Sequence, residues 1–255
     1  MTGTLTVVGL GPGDPRYRTP AAVEALASAT DLVGYGPYLD RVPDREGLAR
    51  HPSDNRVELD RARHALDLAA CGRHVAVVSG GDPGVFAMAA AVFEALEAAR
   101  PEWAGVSVRV EPGITAMLAA AARLGAPLGG DFCALSLSDN LKPWDVVMSR
   151  LRAVLAADFV VALYNPISRA RPWQLGAALG LAAEIKPAGT LVAFARAVGR
   201  PDERVAVMPV ADAAERASSA DMATLVLIGA TSTRLVAGAD GATHLYTPRS
   251  VGRQP

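Results

Sequence analysis

The sequence of 255 residues contains little lysine, cysteine or aromatic side chain. It has two lysines (Lys142 and Lys186), two cysteines (Cys71 and Cys133) and only 5% aromatic residues. Its formal net charge of −1 argues against a protein whose main partner is a phosphate backbone, because such binding depends on many Lys and Arg contacts. The two cysteines stand far apart, with no second Cys or His at ligand spacing, and so predict neither a disulfide framework nor a metal site.

Long hydrophobic runs and a leader-like segment are also missing. Gly, Pro or a charged residue interrupts every apolar stretch before it reaches the roughly 18 residues that a membrane span needs. The first residues, MTGTLTVVGLGPGD, have no basic start and no long apolar segment, and are typical of a strand that runs into a turn. We therefore predict a cytoplasmic protein with no membrane, nucleic-acid or metal partner.

What the chain does contain is 51% hydrophobic residues, with 50 alanines. Short runs of Val, Leu and Ile alternate with alanine-rich segments, a pattern that predicts an α/β protein. Thr19 followed by Pro20 predicts the start of a helix over 21–29, and Pro172 the start of a helix over 173–184. The predicted strands are Thr4–Val8, Asp31–Gly34, His74–Val78, Val106–Val110, Phe132–Leu135, Phe159–Leu163, Thr190–Phe194, Arg204–Val207 and Thr224–Ile228.

A turn, a short alanine-rich helix and a Gly/Pro break follow one another over 111–130, EPGITAMLAAAARLGAPLGG. We place the domain boundary here, with an N-terminal α/β lobe over 1–125, a C-terminal α/β lobe over 126–242 and a loosely held tail over 243–255. Ligands of open α/β sheets bind beyond the carboxyl ends of the strands, and two lobes create a cleft between them. The predicted fold class is α/β, with two α/β lobes and an inter-lobe cleft.

The first glycine loop, Gly9-Leu10-Gly11-Pro12-Gly13-Asp14, follows a strand and precedes a helix. It fails the dinucleotide fingerprint, because Asp14 stands where Gly or Ala is needed and no acidic residue closes the second strand. Pro12 also removes an amide that a pyrophosphate could use. A Walker loop is excluded because no Gly-Lys-Ser/Thr is present. On this motif alone, a tight structural turn is the favoured interpretation.

Two further glycine turns follow later strands in the same manner. Ser79-Gly80-Gly81-Asp82-Pro83-Gly84 lets a ligand approach the backbone, and Asp82 can either accept hydrogen bonds from a ligand or cap a helix that starts at Pro83. Glu111-Pro112-Gly113-Ile114-Thr115-Ala116 is the third turn. Turns after three strands of one sheet would converge on one edge, which favours a ligand site. No Lys stands beside these glycines, so an adenosyl group with a carboxylate and a cation suits them better than a triphosphate.

The motifs GLGPGD, SGGDPG and EPGITA, in this order after successive strands, resemble the tetrapyrrole (corrin and porphyrin) methylases. SLSD, LYNPIS, ARAVGRPDE and TLVLIG extend the resemblance through the whole chain. The family comprises S-adenosylmethionine-dependent methyltransferases (class III) with two α/β lobes. Within it, LYNPIS, ARAVGRPDE and GYGPYLD are most similar to members that methylate C17 of precorrin-3B and contract its ring in cobalamin biosynthesis, giving precorrin-4.

The resemblance implies that S-adenosylmethionine lies folded between the lobes and leaves as S-adenosylhomocysteine. Uroporphyrinogen methylases have a Tyr-Asp pair after the second strand, whereas this chain has Tyr35-Gly36, so that catalytic carboxylate is not carried over. The residues implied to bind the donor are Pro12, Gly80, Gly81, Asp82, Val85, Thr115, Ala116, Tyr164, Asn165, Ala197 and Thr224.

The implied substrate is a macrocycle fringed with acetate and propionate groups, which cations would bind. Arginine pairs carboxylates bidentately, and all but two of the 25 basic residues are arginines. The candidates in predicted loops are Arg16, Arg18, Arg169, Arg171, Arg196 and Arg200. The alternative is that arginine replaces lysine through genome composition and carries only solvated surface charge.

Ring contraction also needs an acid or base. The candidates are Tyr35, Asp82, Glu111 and Asp139, each with an alternative role as a cap or turn residue. The four histidines show no Ser-His-Asp spacing and predict no hydrolase.

Other functions stay open at this point. The substrate could carry cobalt (cobalt-factor III), or the chain could be a sibling that methylates C11 or C20. Related methylases act on diphthamide or ribosomal RNA, and a different class would be a nucleotide-binding oxidoreductase or a non-catalytic adenosyl-binding protein. The resemblance further implies a homodimer.

Overall fold

The computed structural model describes residues 3–55, 57–168, 170–239 and 241–250. The chain divides into two compact units, Met1–Ala116 and Met117–Pro255. The boundary predicted after residue 125 therefore lies later than the observed one. Each unit combines β-sheet with α-helices, which confirms the α/β prediction.

The first unit is built on a parallel five-stranded sheet in the order β3-β2-β4-β1-β5. The strands are β1 (Thr4–Gly9), β2 (Asp31–Tyr35), β3 (Ala49–Ser53), β4 (His74–Ser79) and β5 (Ser107–Glu111), and the helices are α1 (Pro20–Ser28), α2 (Gly36–Leu39), α3 (Glu58–Ala70) and α4 (Met88–Leu96). Thr19 caps α1 as predicted, because its hydroxyl accepts a hydrogen bond from Ala22 N at 3.1 Å.

Both faces of this sheet are buried. Leu5 and Val7 of β1 pack with Leu66 of α3 on one face, whereas Val8 packs with Leu26 of α1 on the other. Burial on both faces explains why the central strands are almost continuously apolar in sequence.

The second unit contains a mixed five-stranded sheet, β10-β9-β11-β8-β7, and a three-stranded sheet, β12-β13-β6. The strands are β6 (Gly125–Ala126), β7 (Phe132–Ser136), β8 (Val160–Tyr164), β9 (Leu191–Arg196), β10 (Arg204–Pro209), β11 (Thr224–Ile228), β12 (Arg234–Ala237) and β13 (Thr243–Tyr246), and the helices are α5 (Ala116–Leu124), α6 (Trp144–Ala156), α7 (Gln174–Ile185) and α8 (Val210–Ala213). All nine predicted strands are present, with ends shifted by at most two residues.

Residues 243–247 do not form the loosely held tail that we predicted. Strand β13 pairs with β12 and β6, Leu245 is buried, and the Thr247 hydroxyl donates to Pro127 O at 2.6 Å. Residues 251–255 lie outside the described part. No helix among the described residues is long and apolar enough to span a membrane.

Candidate functional site

The first and second glycine loops are joined by a main-chain bridge. Gly11 N donates to Gly81 O at 3.1 Å, and Gly81 N donates to Gly11 O at 3.0 Å. Both glycines have positive φ, +68° and +66°, which residues with a Cβ rarely adopt. The predicted convergence of these turns at the carboxyl edge of the first sheet is therefore confirmed.

Asp82 joins the second loop to the third. Its Oδ1 accepts from Gly84 N at 2.8 Å and its Oδ2 accepts from Gly113 N at 3.0 Å. The alternative that Asp82 caps a helix starting at Pro83 is wrong, because α4 starts only at Met88 and both carboxylate oxygens bind loop amides. Asp82 thus fixes the loops against each other.

Gly113 makes the closest approach between the loops. A Cβ at this position would lie 2.2 Å from Gly81 O and 2.9 Å from Gly9 Cα, distances that real atoms do not tolerate. The third loop therefore needs glycine here for close packing of backbone on backbone.

Arg41 holds the first loop and was missed by the sequence analysis. Its guanidinium donates to Leu10 O at 2.9 Å and to Gly11 O at 2.8 Å. The guanidinium of Arg18, a predicted substrate ligand, donates to Arg41 O. Burial lowers the pKa of Arg18. The only sequence signal was the position of Arg41 directly after GYGPYLD.

The remaining predicted residues of the first unit surround these loops. Tyr35 ends β2 and packs edge-on against Tyr38, with ring centroids 5.6 Å apart. The Tyr38 ring lies against the backbone of Gly80, and a Cβ added at Gly80 would lie 2.8 Å from Tyr38 Cζ. Glu111 ends β5, and its carboxylate bonds no residue in the described part of the chain. Pro12 and Val85 are half-buried in the first and second loops.

The second loop passes close to the start of α5. A Cβ at Gly81 would lie 3.6 Å from Thr115 Cα and 3.8 Å from Ala116 N. The structure therefore brings the second glycine loop together with Thr115 and Ala116.

In the second unit, the predicted residues lie at one edge of the mixed sheet. Tyr164 ends β8, and its hydroxyl accepts from Met117 N at 3.0 Å. Asn165 donates to Ser136 Oγ at 2.9 Å. Ala197 follows β9, and Thr224 starts β11 beside it. Asn165 and Ala197 both have φ of +52°, and such outliers cluster at functional sites.

Most of the predicted substrate arginines already have partners within the protein. Arg16 pairs with Asp14 at 3.3 Å, and Arg171 pairs with Asp139. The hydrogen bond from Arg171 outweighs desolvation and lowers the pKa of Asp139. Arg196 pairs with Asp202 at 2.7 Å and with Asp221 at 2.8 Å, and the hydrogen bonds that it donates to these two acids raise the pKa of Arg196. Arg200 N donates to Ala197 O at 3.0 Å, and Arg169 lies outside the described residues.

The described residues contain no group of three or more His, Cys, Asp and Glu side chains that could hold a metal ion. Two α/β units, with glycine loops that present main-chain groups at the carboxyl edge of a parallel sheet, define an enzyme class that binds a small ligand through its backbone. The chain belongs to the Tetrapyrrole (Corrin/Porphyrin) Methylases, whose family pattern matches residues 4–214.

Individual relatives match almost the whole chain. It is 58% identical over 249 residues to precorrin-3B C(17)-methyltransferase of a Sinorhizobium species, covering 98% of this chain and 97% of that protein. It is 38% identical over 253 residues to a probable cobalt-factor III C(17)-methyltransferase of Salmonella typhimurium, covering 96% and 98%. The crystal structure of the methyltransferase CobJ matches with a TM-score of 0.91 and 55% identity, covering 97% of this chain and all of that one (100%). The predicted family and the prediction of a methyltransferase are confirmed.

Proposed function

We propose that the protein transfers a methyl group from S-adenosylmethionine to C17 of precorrin-3B, coupled to ring contraction, and forms precorrin-4 in cobalamin biosynthesis. The observation that carries this proposal is the 58% identity to the Sinorhizobium enzyme over nearly the full length of both chains. The site geometry supports it, because the three glycine loops offer main-chain groups and no lysine to a ligand.

The first unit's residues fit an adenosyl donor. Gly80 and Gly81 present backbone beside the start of α5, where the N-terminal end of the helix favours a carboxylate such as that of a methionine group. Pro12, Val85, Thr115 and Ala116 would line the same ligand. Tyr164, Asn165, Ala197 and Thr224 are further candidate donor residues, on the resemblance of their motifs to the family alone. When bound, S-adenosylmethionine supplies an electrophilic methyl group on a sulfonium that is already activated.

The chain's own contribution is to align the reactants and move a proton. Alignment alone can supply much of the rate of an in-line displacement. Of the four candidate acids and bases, Asp82 is committed to two loop amides and Asp139 to Arg171. We therefore assign proton transfer during ring contraction to Glu111 and Tyr35, whose side chains form no hydrogen bond with other described residues and which end β5 and β2.

The test uses purified protein, precorrin-3B and S-adenosylmethionine with a 13C-labelled methyl group. The expected product is heavier by one labelled CH2 unit, carries the label at C17 by NMR, and forms with one equivalent of S-adenosylhomocysteine. Glu111→Gln should slow turnover while leaving the S-adenosylhomocysteine dissociation constant unchanged. An unlabelled macrocycle, or a label at C11 or C20, would refute the proposed reaction.

The cobalt-bearing substrate is the second candidate, supported by the 38% identity to the Salmonella protein. The greater identity to the precorrin-3B enzyme favours the metal-free substrate. A parallel reaction with cobalt-factor III decides between them by comparing kcat/KM for the two substrates.

We also propose that the protein is a cytoplasmic homodimer. Strand β12 is an edge strand that exposes Leu235 (47%) and Val236 (46%), which a second copy would cover. Free thiols at Cys71 and Cys133 suit a reducing compartment. Light scattering of the wild type and of Leu235→Lys tests the dimer, which the lysine should dissociate.

A further inference from the structure

A pocket of about 410 Å³ lies at the free edge of the first sheet, outside the glycine loops. It is lined by residues of β2, β3 and α3, among them Ser53, Arg61 and His64. Its volume falls in the range of about 300–1,000 Å³ that is typical of small-molecule sites.

Arg61 differs from the other buried basic residue of the described chain. Lys186 and Arg61 are both 5% exposed, but Lys186 pairs with Asp158, whereas Arg61 has no acidic partner within 4 Å among the described residues. Glu58, one turn earlier on α3, adds only longer-range attraction. A buried guanidinium without a carboxylate within 4 Å is stabilised only by hydrogen bonds to uncharged groups, so a carboxylate from outside would meet no competing acid at ion-pair distance.

The neighbours of Arg61 hold it in place and leave part of it available. Its Nε donates to Ser53 Oγ at 2.7 Å, Nη2 donates to Asp54 O at 2.6 Å, and Nη1 contacts Met88 Sδ at 3.2 Å. A guanidinium has five N–H groups, so one on each Nη remains without a partner among the described residues. Two is the number that a bidentate carboxylate accepts.

Arg61 contacts elements at the same edge of the sheet as the glycine loops. Ser53 ends β3, and Met88 starts α4 directly after the second glycine loop. Arg61 therefore lies at the carboxyl edge of the parallel sheet, where ligands of such sheets bind.

The other charged groups at the pocket are already compensated. Asp60 pairs with Arg63 at 3.1 Å, and Arg50 pairs with Asp44 at 3.2 Å. His64 bonds the His51 ring at 3.1 Å. Arg61 is thus the cation at this pocket that has no carboxylate within 4 Å among the described residues.

We propose that Arg61 binds a carboxylate side chain of the tetrapyrrole substrate in this pocket. The proposal rests on the proposed function for the identity of the substrate, but the carboxylate site itself does not. The pocket would receive one acetate or propionate group, and the two free N–H groups of Arg61 would hold it bidentately.

Arg61→Met tests the proposal, with Arg109→Met as the matched control. Arg109 is exposed on β5, the opposite edge strand of the same sheet, and its side chain forms no hydrogen bond or ion pair with a described residue. Arg61→Met should raise KM for precorrin-3B at least about 20-fold, the effect of removing one partner of a buried charge pair. The kcat and the KM for S-adenosylmethionine should stay within about threefold of wild type, because only uniform substrate binding is lost. Arg61→Lys keeps the positive charge, and its KM for precorrin-3B should lie between those of wild type and Arg61→Met. This variant keeps the test valid if Arg61→Met folds poorly.

A second measurement tests the carboxylate site independently of the proposed methyl transfer. Sodium propionate at about 100 mM should raise the Tm of wild type and of Arg109→Met above their values in equal sodium chloride, but not that of Arg61→Met. If wild type does not methylate precorrin-3B but propionate still stabilises it through Arg61, the proposed function fails and the carboxylate site stands. If wild type is active and Arg61→Met keeps its precorrin-3B KM within twofold, the proposal is overturned.

Discussion

Replacing Gly113 by alanine would push the three glycine loops apart. The new Cβ would lie 2.2 Å from Gly81 O and 2.9 Å from Gly9 Cα, and both neighbours are main-chain atoms with no flexible end to move aside. Overpacking of this kind costs about 1–3 kcal/mol. If the loops separate, the 3.0 Å hydrogen bond from Gly113 N to the Asp82 carboxylate is lost as well, at about 1.5–3 kcal/mol. We expect Gly113→Ala to lower the free energy of unfolding of the first unit by about 2.5–6 kcal/mol.

The measurement must report on the first unit alone. Trp103 is 3% exposed and is the one tryptophan of this unit, since the other two are Trp144 and Trp173. Urea unfolding followed by Trp103 fluorescence, in a Trp144→Phe, Trp173→Phe background, gives the free energy of that unit. Calorimetry should also show that S-adenosylhomocysteine binds at least about tenfold more weakly, because its proposed loops are displaced.

Gly36→Ala is the matched control in the same unit. Gly36 is the first residue of α2, and a Cβ there would meet nothing within 4 Å, so the same substitution should be neutral or stabilising by up to about 1 kcal/mol. A loss below about 1 kcal/mol in Gly113→Ala, with unchanged ligand affinity, would refute the argument that backbone contact fixes these loops.

Three further predictions concern other parts of the chain. Burial alone would raise the pKa of Asp31, but hydrogen bonds from Arg73 and two other side chains lower it below its usual range. A lowered folded-state pKa stabilises the fold above about pH 4 and loses this stabilisation as pH falls through the folded value. Arg73→Met should therefore lose about 1–3 kcal/mol at neutral pH in urea titrations and unfold at a higher pH on acidification; unchanged acid unfolding would contradict this. Cys71 is exposed, whereas burial raises the pKa of Cys133, so a thiol reagent should modify one cysteine of the native protein quickly and the other only on unfolding; two equal fast phases would count against it. Ala197 has φ of +52°, and Ala197→Gly should stabilise the second unit by about 1 kcal/mol in thermal unfolding; a lower Tm would show that no strain is stored there.

The sequence predicted the central strands and the convergence of the loops because both follow from local patterns. Buried parallel strands are apolar along their whole length, and the carboxyl ends of parallel strands share one edge. Strand β3, with the sequence ARHPS, was missed because an edge strand needs no apolar run. Strand β12 was missed because all four of its residues are exposed and show no alternation.

The arginines show where the sequence could not decide. Asp139, the partner of Arg171, stands 32 residues away, and Asp221, one of the two partners of Arg196, stands 25 residues away, so these ion pairs depend on the tertiary fold. The same holds for Arg41, whose acceptors are carbonyl groups 30 and 31 residues earlier. Many arginines of this chain bond carbonyl groups and acidic side chains of the protein itself. Composition alone cannot distinguish these arginines from arginines that bind a substrate.

Strand β13 also fixes when the two units can fold during synthesis. The contacts of the first unit lie within Met1–Ala116, so this unit can form on the ribosome while the rest is still being made. The three-stranded sheet of the second unit must wait for β13, because β6 pairs with this strand and Thr247 bonds Pro127 across 120 residues. At about 5–20 residues per second this delay is roughly 6–24 s, during which β6 has no strand to pair with.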